Sequence, residues 1–284
     1  MKRVHAVGSL VFLVAGAALA AAAPPQPPQQ QTPQPQTGTR QYEPKHGQPG
    51  KDVVWVPTPE EMVEHMLDLA EVSARDLVID LGSGDGRNVI AAAKRGARAR
   101  GVEYNPDLVE LSRRRAAEAG VADRAAFVQG DMYEADVSDA TVLVLFLLPE
   151  NLRKLMPTFT AMPPGTRIVA NTFGLAGWTP ERTFRLQDCL AWCEAMLYFV
   201  PAKVHGSWTL GDGTLEIDQA YQTITGTLTA GGQSVPIQDA AIRGDEISFA
   251  AGGVVYTGRV NGDRIEGTAT GGRAARFTAT RQAR

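Results

Sequence analysis

Three acidic side chains and a glycine-rich turn in the first half of this chain have the types and spacing to hold a cationic nucleoside. Asp76-Leu77-Val78-Ile79-Asp80-Leu81 is a short apolar run with the look of a buried parallel strand, and it leads straight into Gly82-Ser83-Gly84-Asp85-Gly86 and a helical run, Asn88 to Lys94, that stops at Gly96. A glycine-rich turn between strand and helix lets backbone approach a ligand and aims free N–H groups at it. The dinucleotide fingerprint G-x-G-x-x-G would need its third glycine where Arg87 stands, so the spacing here is a different one. Asp80 would repel a pyrophosphate but could hold an amine or a sulfonium-bearing ligand through charge-assisted hydrogen bonds. Glu103 closes a second strand, Ala99 to Val102, and a carboxylate there can accept from both hydroxyls of a ribose. A third strand, Ala126 to Gln129, ends at Gly130-Asp131-Met132, an acceptor and an apolar surface beside a possible adenine. All three acids fall at strand carboxyl ends, the edge on which open α/β sheets bind ligands.

The elements that must position them alternate strand and helix from Asp52 to about Pro201, which predicts a parallel sheet covered on both faces. Ahead of the first strand, Thr58 reads as N-cap, Pro59 as N1 and Glu61 as capping-box partner of a helix running to about Ala70. After residue 204 the pattern changes: no Lys, no Cys, many Gly and Thr, and eight short alternating runs separated by turn signals, at Ser207–Leu210, Thr214–Gln219, Gln222–Thr229, Val235–Ile242, Glu246–Ala251, Val254–Val260, Arg264–Thr270 and Ala275–Thr280. These predict a second, all-β domain, an up-and-down barrel or a sandwich. Gly206-Ser207-Trp208 resembles the Gly-x-Trp of lipocalin-like barrels, with Arg276 or Arg281 as partner over the indole.

Together, Asp80-Leu81-Gly82-Ser83-Gly84-Asp85-Gly86, Glu103 and Asp131 resemble the S-adenosyl-L-methionine (SAM) site of class I seven-strand methyltransferases, over roughly Val53 to Pro201. The resemblance implies a Rossmann-like sheet in which Gly82, Gly84 and Gly86 cradle the methionine part, Asp80 and its loop hold the amino acid end, Glu103 binds ribose, and Asp131, with Met132 beside it, faces the adenine. Thr58 joins the expected cofactor-binding set. A narrower likeness, carried by Val56-Pro57-Thr58-Pro59, Asp80 to Arg87 and Thr141 to Glu150, is to small protein-lysine methyltransferases that modify mitochondrial inner-membrane proteins and to their bacterial relatives. It implies methyl transfer to an amine, a protein lysine or similar, and supplies no general base. Glu150 and Asn171 are the candidates on the acceptor side; Glu150 reads equally as a helix cap, and Asn171 as a strand-end turn residue.

Nucleic acid is disfavoured as acceptor. The segment after strand four, Leu147-Leu148-Pro149-Glu150-Asn151, has neither an Asp/Asn-Pro-Pro-aromatic element nor a Pro-Cys nucleophile, and the formal charge is −3. The 284 residues, 44% hydrophobic and 21% charged, suit a soluble globular chain with room for two domains. His5, His46, His65 and His205 are scattered and make no metal spacing with Cys189 and Cys193, so no metal site is expected. The two cysteines read as a disulfide or as buried thiols one helical turn apart.

The expected organisation is a signal peptide over 1–23, a Pro/Gln-rich linker over 24–50, a SAM-binding domain over 51–203 and a β-barrel-like domain over 204–284. Lys2 and Arg3, the apolar run from Val7 to Ala20 and the small residues to Ala23 have the layout of an export signal, with an uncleaved anchor as the alternative. Either places the rest of the chain across the membrane, periplasmic or extracellular and near the envelope. Because SAM is made in the cytoplasm, an exported non-catalytic binding protein is the competing expectation. Oligomeric state is not legible.

Overall fold

The structure, a computed structural model, describes residues 42–271 and 274–283. The expected signal segment and residues 24–41 of the linker lie outside the described residues. Among the described residues no helix is long and apolar enough to cross a membrane, and no cluster of His, Cys, Asp and Glu could hold a metal ion.

The first half builds β1 (Leu77–Leu81), β2 (Arg98–Glu103), β3 (Ala125–Gln129), β4 (Val142–Leu145), β5 (Arg167–Asn171), β6 (Arg182–Arg185) and β7 (Glu194–Phe199), with helices α1 (Glu60–Leu69), α2 (Arg87–Lys94), α3 (Pro106–Glu118) and α4 (Pro149–Ala161). They form one seven-stranded sheet in the order β3-β2-β1-β4-β5-β7-β6. The first five strands are mutually parallel, and β7 runs antiparallel between β5 and β6. The strand order reverses between β1 and β4. At such a switch point the two connections leave toward opposite faces, opening a crevice beyond the strand carboxyl ends.

The side-chain period of 2 sorts the core into two layers. Val78, Val142 and Val144 face α1 and α2, whereas Ile79, Leu81, Leu143 and Leu145 face Leu152, Leu155 and Phe159 of α4. Asp80 shares the register of Val78 and is thereby delivered, buried, to the carboxyl end of β1 on the α2 side.

One expected cap is not formed. Helix α1 starts after Pro59 with no side-chain cap, its N-terminus supported by Glu60 and Glu61 in the first turn. Thr58 is buried, and its carbonyl accepts from Arg87 Nη1 at 2.6 Å, which draws the segment before α1 against the glycine turn.

The second half builds β8 (Gly206–Leu210), β9 (Gly213–Ala220), β10 (Thr223–Ala230), β11 (Gln233–Pro236), β12 (Gln238–Arg243), β13 (Glu246–Ala251), β14 (Val254–Asn261), β15 (Arg264–Thr270) and β16 (Ala275–Arg281). Eight of them close into an antiparallel barrel, β9-β10-β12-β13-β14-β15-β16-β8 and back to β9. The run expected as one strand over Val235–Ile242 is two: β11 hairpins onto β10, and the chain breaks at Ile237, whose N–H bonds Gly226 instead, before β12 joins with a register shift at Gln238/Ala241. The interior is filled by Trp208, Ile217, Ile224, Ile247, Phe249 and Ile265. Trp208 is fully buried, donates to the Val204 carbonyl at 2.8 Å and carries the Arg281 guanidinium 4.2 Å over its ring, so Arg281 rather than Arg276 is its partner.

The barrel is fastened near β6 and β7. Tyr221 stacks on Trp178 at 4.9 Å, Arg243 lies 3.9 Å over Phe199 and pairs with Glu181 at 3.0 Å, and Ala202 donates to the Gly244 carbonyl.

Candidate active site

The crevice at the switch point is a cavity lined by Asp80, Gly82, Ser83, Gly84, Asp85, Asn88, Glu103, Tyr104, Asp131, Met132, Phe146 and Leu147, and walled on its outer side by Gln48 to Thr58. Among the described residues, none of the barrel lines it. Of the expected cofactor set, Thr58, Asp80, Gly82, Gly84, Glu103, Asp131 and Met132 come together here.

Gly86 does not line the cavity. It sits at the start of α2 with φ +81°, and a Cβ there would stand 2.8 Å from the Phe127 ring and from Ser112 Cβ, so this glycine serves the packing of the turn on β3 and α3. Gly84 is the one that shapes the cavity: φ is +55°, and a Cβ would meet the Trp55 indole nitrogen at 2.8 Å. The turn is tied down by Gly82 and Ser83 donating to the Val102 carbonyl and by Ser112 Oγ donating to the Gly84 carbonyl at 3.0 Å.

Asp80 accepts one hydrogen bond, from Asn88 Nδ2 at 3.0 Å. Burial pushes its pKa up to about 7 against that bond, and the neighbouring charges of Glu103 and Asp85 add to the rise. A buried carboxyl with this little compensation and a face toward the cavity is a site for a cation. Glu103 accepts from the Gly84 N–H with one oxygen and from the Asn105 N–H with the other, both at 2.9 Å, and burial raises its pKa against the backbone donors. Asp131 accepts from the Tyr133 N–H at 3.0 Å and from Lys51 Nζ at 2.8 Å; the Lys51 bond is the main reason its pKa is lowered.

Lys51 and Trp55 were not marked by the sequence pattern. The segment carrying them is folded back on itself, with Gly47 donating to the Trp55 carbonyl and Trp55 to that of Gln48. Lys51 Nζ also lies 5.3 Å from the Tyr104 ring and 5.8 Å from the Tyr133 ring. With this segment in place the free space is about 110 Å³, below the ~300 Å³ at which small-molecule sites begin. Lys51 already occupies the Asp131 carboxylate at 2.8 Å, so it competes with a nucleoside for that acceptor. Lys51→Ala should tighten SAM binding severalfold in calorimetry; weaker binding would show that the lysine instead helps to hold the ligand.

The two acceptor-side candidates lie outside the cavity. Glu150, in the first turn of α4, is exposed and paired with Arg153 at 2.7 Å, because the helix register turns it to solvent. Asn171 is buried at the end of β5, where its Oδ1 accepts from Thr172 Oγ1 and its Nδ2 has no partner among the described residues. Cys189 and Cys193 form a disulfide in the loop between β6 and β7, not a pair on a helix.

A sheet of this order with a cation-accepting carboxylate, a glycine turn and a strand-end glutamate at its switch point defines a class I SAM-dependent methyltransferase. The ANTKMT methyltransferase domain family matches residues 80–182. A protein-lysine N-methyltransferase of Saccharolobus islandicus is 41% identical over 139 residues, covering 48% of this chain and 86% of that protein. The mouse adenine nucleotide translocase lysine N-methyltransferase is 38% identical over 42% of this chain and 52% of its own length, so the chain spans only about half of that relative. A crystal structure from Salinibacter ruber, described as an RNA methyltransferase in complex with S-adenosyl-L-homocysteine, superposes with a TM-score of 0.50 at 46% identity, covering 52% of this chain and 96% of that one. The chain belongs to the SAM-dependent protein-lysine methyltransferase family.

SAM supplies, when bound, a methyl group on a cationic sulfur. The residues that line the cavity fit such a group: Asp80 would meet the ammonium, Glu103 the ribose hydroxyls, and Asp131 with Met132 the adenine. Glu103→Ala should weaken binding of SAM and S-adenosyl-L-homocysteine by about 1.5–3 kcal/mol, the range for hydrogen bonds to a charged group. Unchanged calorimetric affinity for both would remove Glu103 from the site.

Proposed function

We propose that this enzyme methylates lysine side chains of a membrane-associated protein, working from the far side of the membrane that its N-terminal segment addresses. The observation that carries the reading is the buried, nearly uncompensated Asp80 facing the same cavity as Glu103 at the switch point. Relatives named for lysine methylation of the adenine nucleotide translocase and of ATP synthase support a protein acceptor. The apolar run from Val7 to Ala20 supports a location at the envelope. The RNA named for the Salinibacter structure is not carried over, since an acidic chain with net charge −3 offers little to a polyanion.

Lysine nitrogen reacts only as the neutral amine, and its reference pKa of ~10.4 makes that form scarce at pH 7. Asp80 and Glu103 are committed to the cofactor in this reading, and Glu150 is turned to solvent. The chain's contribution is then to align the amine and to desolvate it, which lowers its pKa and excludes water from the cavity.

Membrane and envelope extracts incubated with the full chain and tritiated-methyl SAM should yield labelled methyl-lysine after acid hydrolysis of the protein fraction. The purified native chain should have an intact mass beginning between about Ala21 and Pro24. Label found only in RNA would overturn the acceptor, and a mass retaining Met1 in the membrane fraction would replace the cleaved signal by an anchor.

A further inference from the structure

We infer that Phe146, Phe173 and Trp192 form the port through which the acceptor lysine reaches the cofactor cavity, and that the Cys189–Cys193 disulfide holds Trp192 in that port. This rests on the lysine reading above.

Phe146 directly follows β4 and lines the cavity. The Trp192 ring lies 5.4 Å from it, tilted by 59°, and 6.3 Å from Phe173, tilted by 55°. All three residues are half-buried. Trp192 sits inside the loop that the disulfide closes, with φ +62°, and Asp188, just before the bridge, has φ +51°. Left-handed backbone at a non-glycine residue costs about 1–3 kcal/mol and persists only where its surroundings enforce it. Here the enforcement is the cross-link together with two backbone bonds, Leu186 N–H to the Cys193 carbonyl at 2.9 Å and Thr172 N–H to the Glu194 carbonyl at 2.7 Å.

The chemistry selects an alkylammonium. Aromatic faces attract a cation through their quadrupole and pack along an aliphatic stem, which a lysine provides and a carboxylate does not. Glu194, the carboxylate nearest to Trp192 along the chain, is engaged by Arg185 at 3.1 Å. Because Trp192 is placed by a disulfide, reduction should open the port without touching Asp80, Glu103 or Asp131.

The test uses the full chain saturated with S-adenosyl-L-homocysteine and two probes, Nα-acetyl-lysine methylamide and its uncharged counterpart Nα-acetyl-norleucine methylamide, titrated by NMR. The lysine probe should bind tighter than the norleucine probe. Trp192→Ala should weaken the lysine probe by about fivefold to tenfold, in the range of one partly desolvated cation–π contact. Trp192→Phe should restore most of that loss, and the double change Cys189→Ser with Cys193→Ser, or reduction with a thiol, should weaken it similarly. S-adenosyl-L-homocysteine affinity should hold in every variant, which also certifies that each is folded. Equal binding of the two probes to the native chain, or unchanged lysine binding in Trp192→Ala with S-adenosyl-L-homocysteine affinity intact, would overturn the port. Probe selectivity with no methyl-lysine in extracts would strike the acceptor reading and leave the port standing.

Discussion

Asp80→Asn should cost SAM affinity about 10-fold to 100-fold, equivalent to 1.5–3 kcal/mol for a lost charge-assisted hydrogen bond, while making the ligand-free protein more stable. Both effects have one source. Burial, unrelieved by the single bond from Asn88, holds the Asp80 pKa at about 7 in the folded chain. A carboxyl whose folded pKa lies above its unfolded value favours folding most below the unfolded pKa of ~3.9, and that contribution is lost as pH rises toward 7. At pH 8 the native chain carries the full cost of the buried charge, and the asparagine removes it, which should raise stability by about 1–3 kcal/mol. A bound ammonium pulls the same pKa down, so SAM binding below pH 7 releases a proton and weakens as the solution is acidified from pH 8 to pH 6. Calorimetry at the two pH values and thermal melts at pH 8 measure all three effects. Affinity indifferent to both pH and the substitution would mean that Asp80 does not meet the cation.

Asp85→Ala should be the most damaging single change to the architecture of the site. Its carboxylate is almost fully buried between the two glycines and receives Arg87 through Nε at 2.9 Å and Nη2 at 2.6 Å, and Arg115 of α3 through Nη1. Arg87 in turn holds the Thr58 carbonyl, so one carboxylate joins the glycine turn, α3 and the segment that walls the cavity. Burial pushes the Asp85 pKa up, but the two guanidinium groups prevail and hold it below the ordinary carboxylate value. Removing one partner of a buried pair costs about 3–5 kcal/mol; because Arg115 is more than a third exposed and screened by water, about 2–3 kcal/mol is expected here. The folded pKa is depressed, so this stabilisation is complete above the unfolded value and is lost as pH falls through the folded one. Urea midpoints of the native chain and of Asp85→Ala should therefore differ widely at pH 7 and converge in strong acid. Equal midpoints at pH 7 would reduce the bridge to a surface pair.

The cofactor end of the site was legible in the sequence because it is local. A strand, a turn and a helix in succession fix the backbone around Asp80, Gly82 and Gly84 within a dozen residues, and Glu103 and Asp131 follow as the ends of the next two parallel strands, which the sheet must bring to one edge. The barrel was legible for the same reason, as alternating runs with hairpin turns that pair neighbour with neighbour.

What only the tertiary structure decided depends on contacts between distant segments or on rotation about a helix axis. Lys51 meets Asp131 across eighty residues of chain, and nothing in either neighbourhood marks the pairing. Gly86 looked like its two companions, but the packing of Phe127 and Ser112 gave it a different task. Glu150 fell outside because the first turn of α4 points that position at Arg153 and solvent. Trp192 reached Phe146 only because antiparallel β7 returns beside β5 and the Cys189–Cys193 link bends the preceding loop back over the carboxyl ends of the strands. Periodicity reports which face of an element is buried; it carries no information on what another element, free in three dimensions, will set against that face.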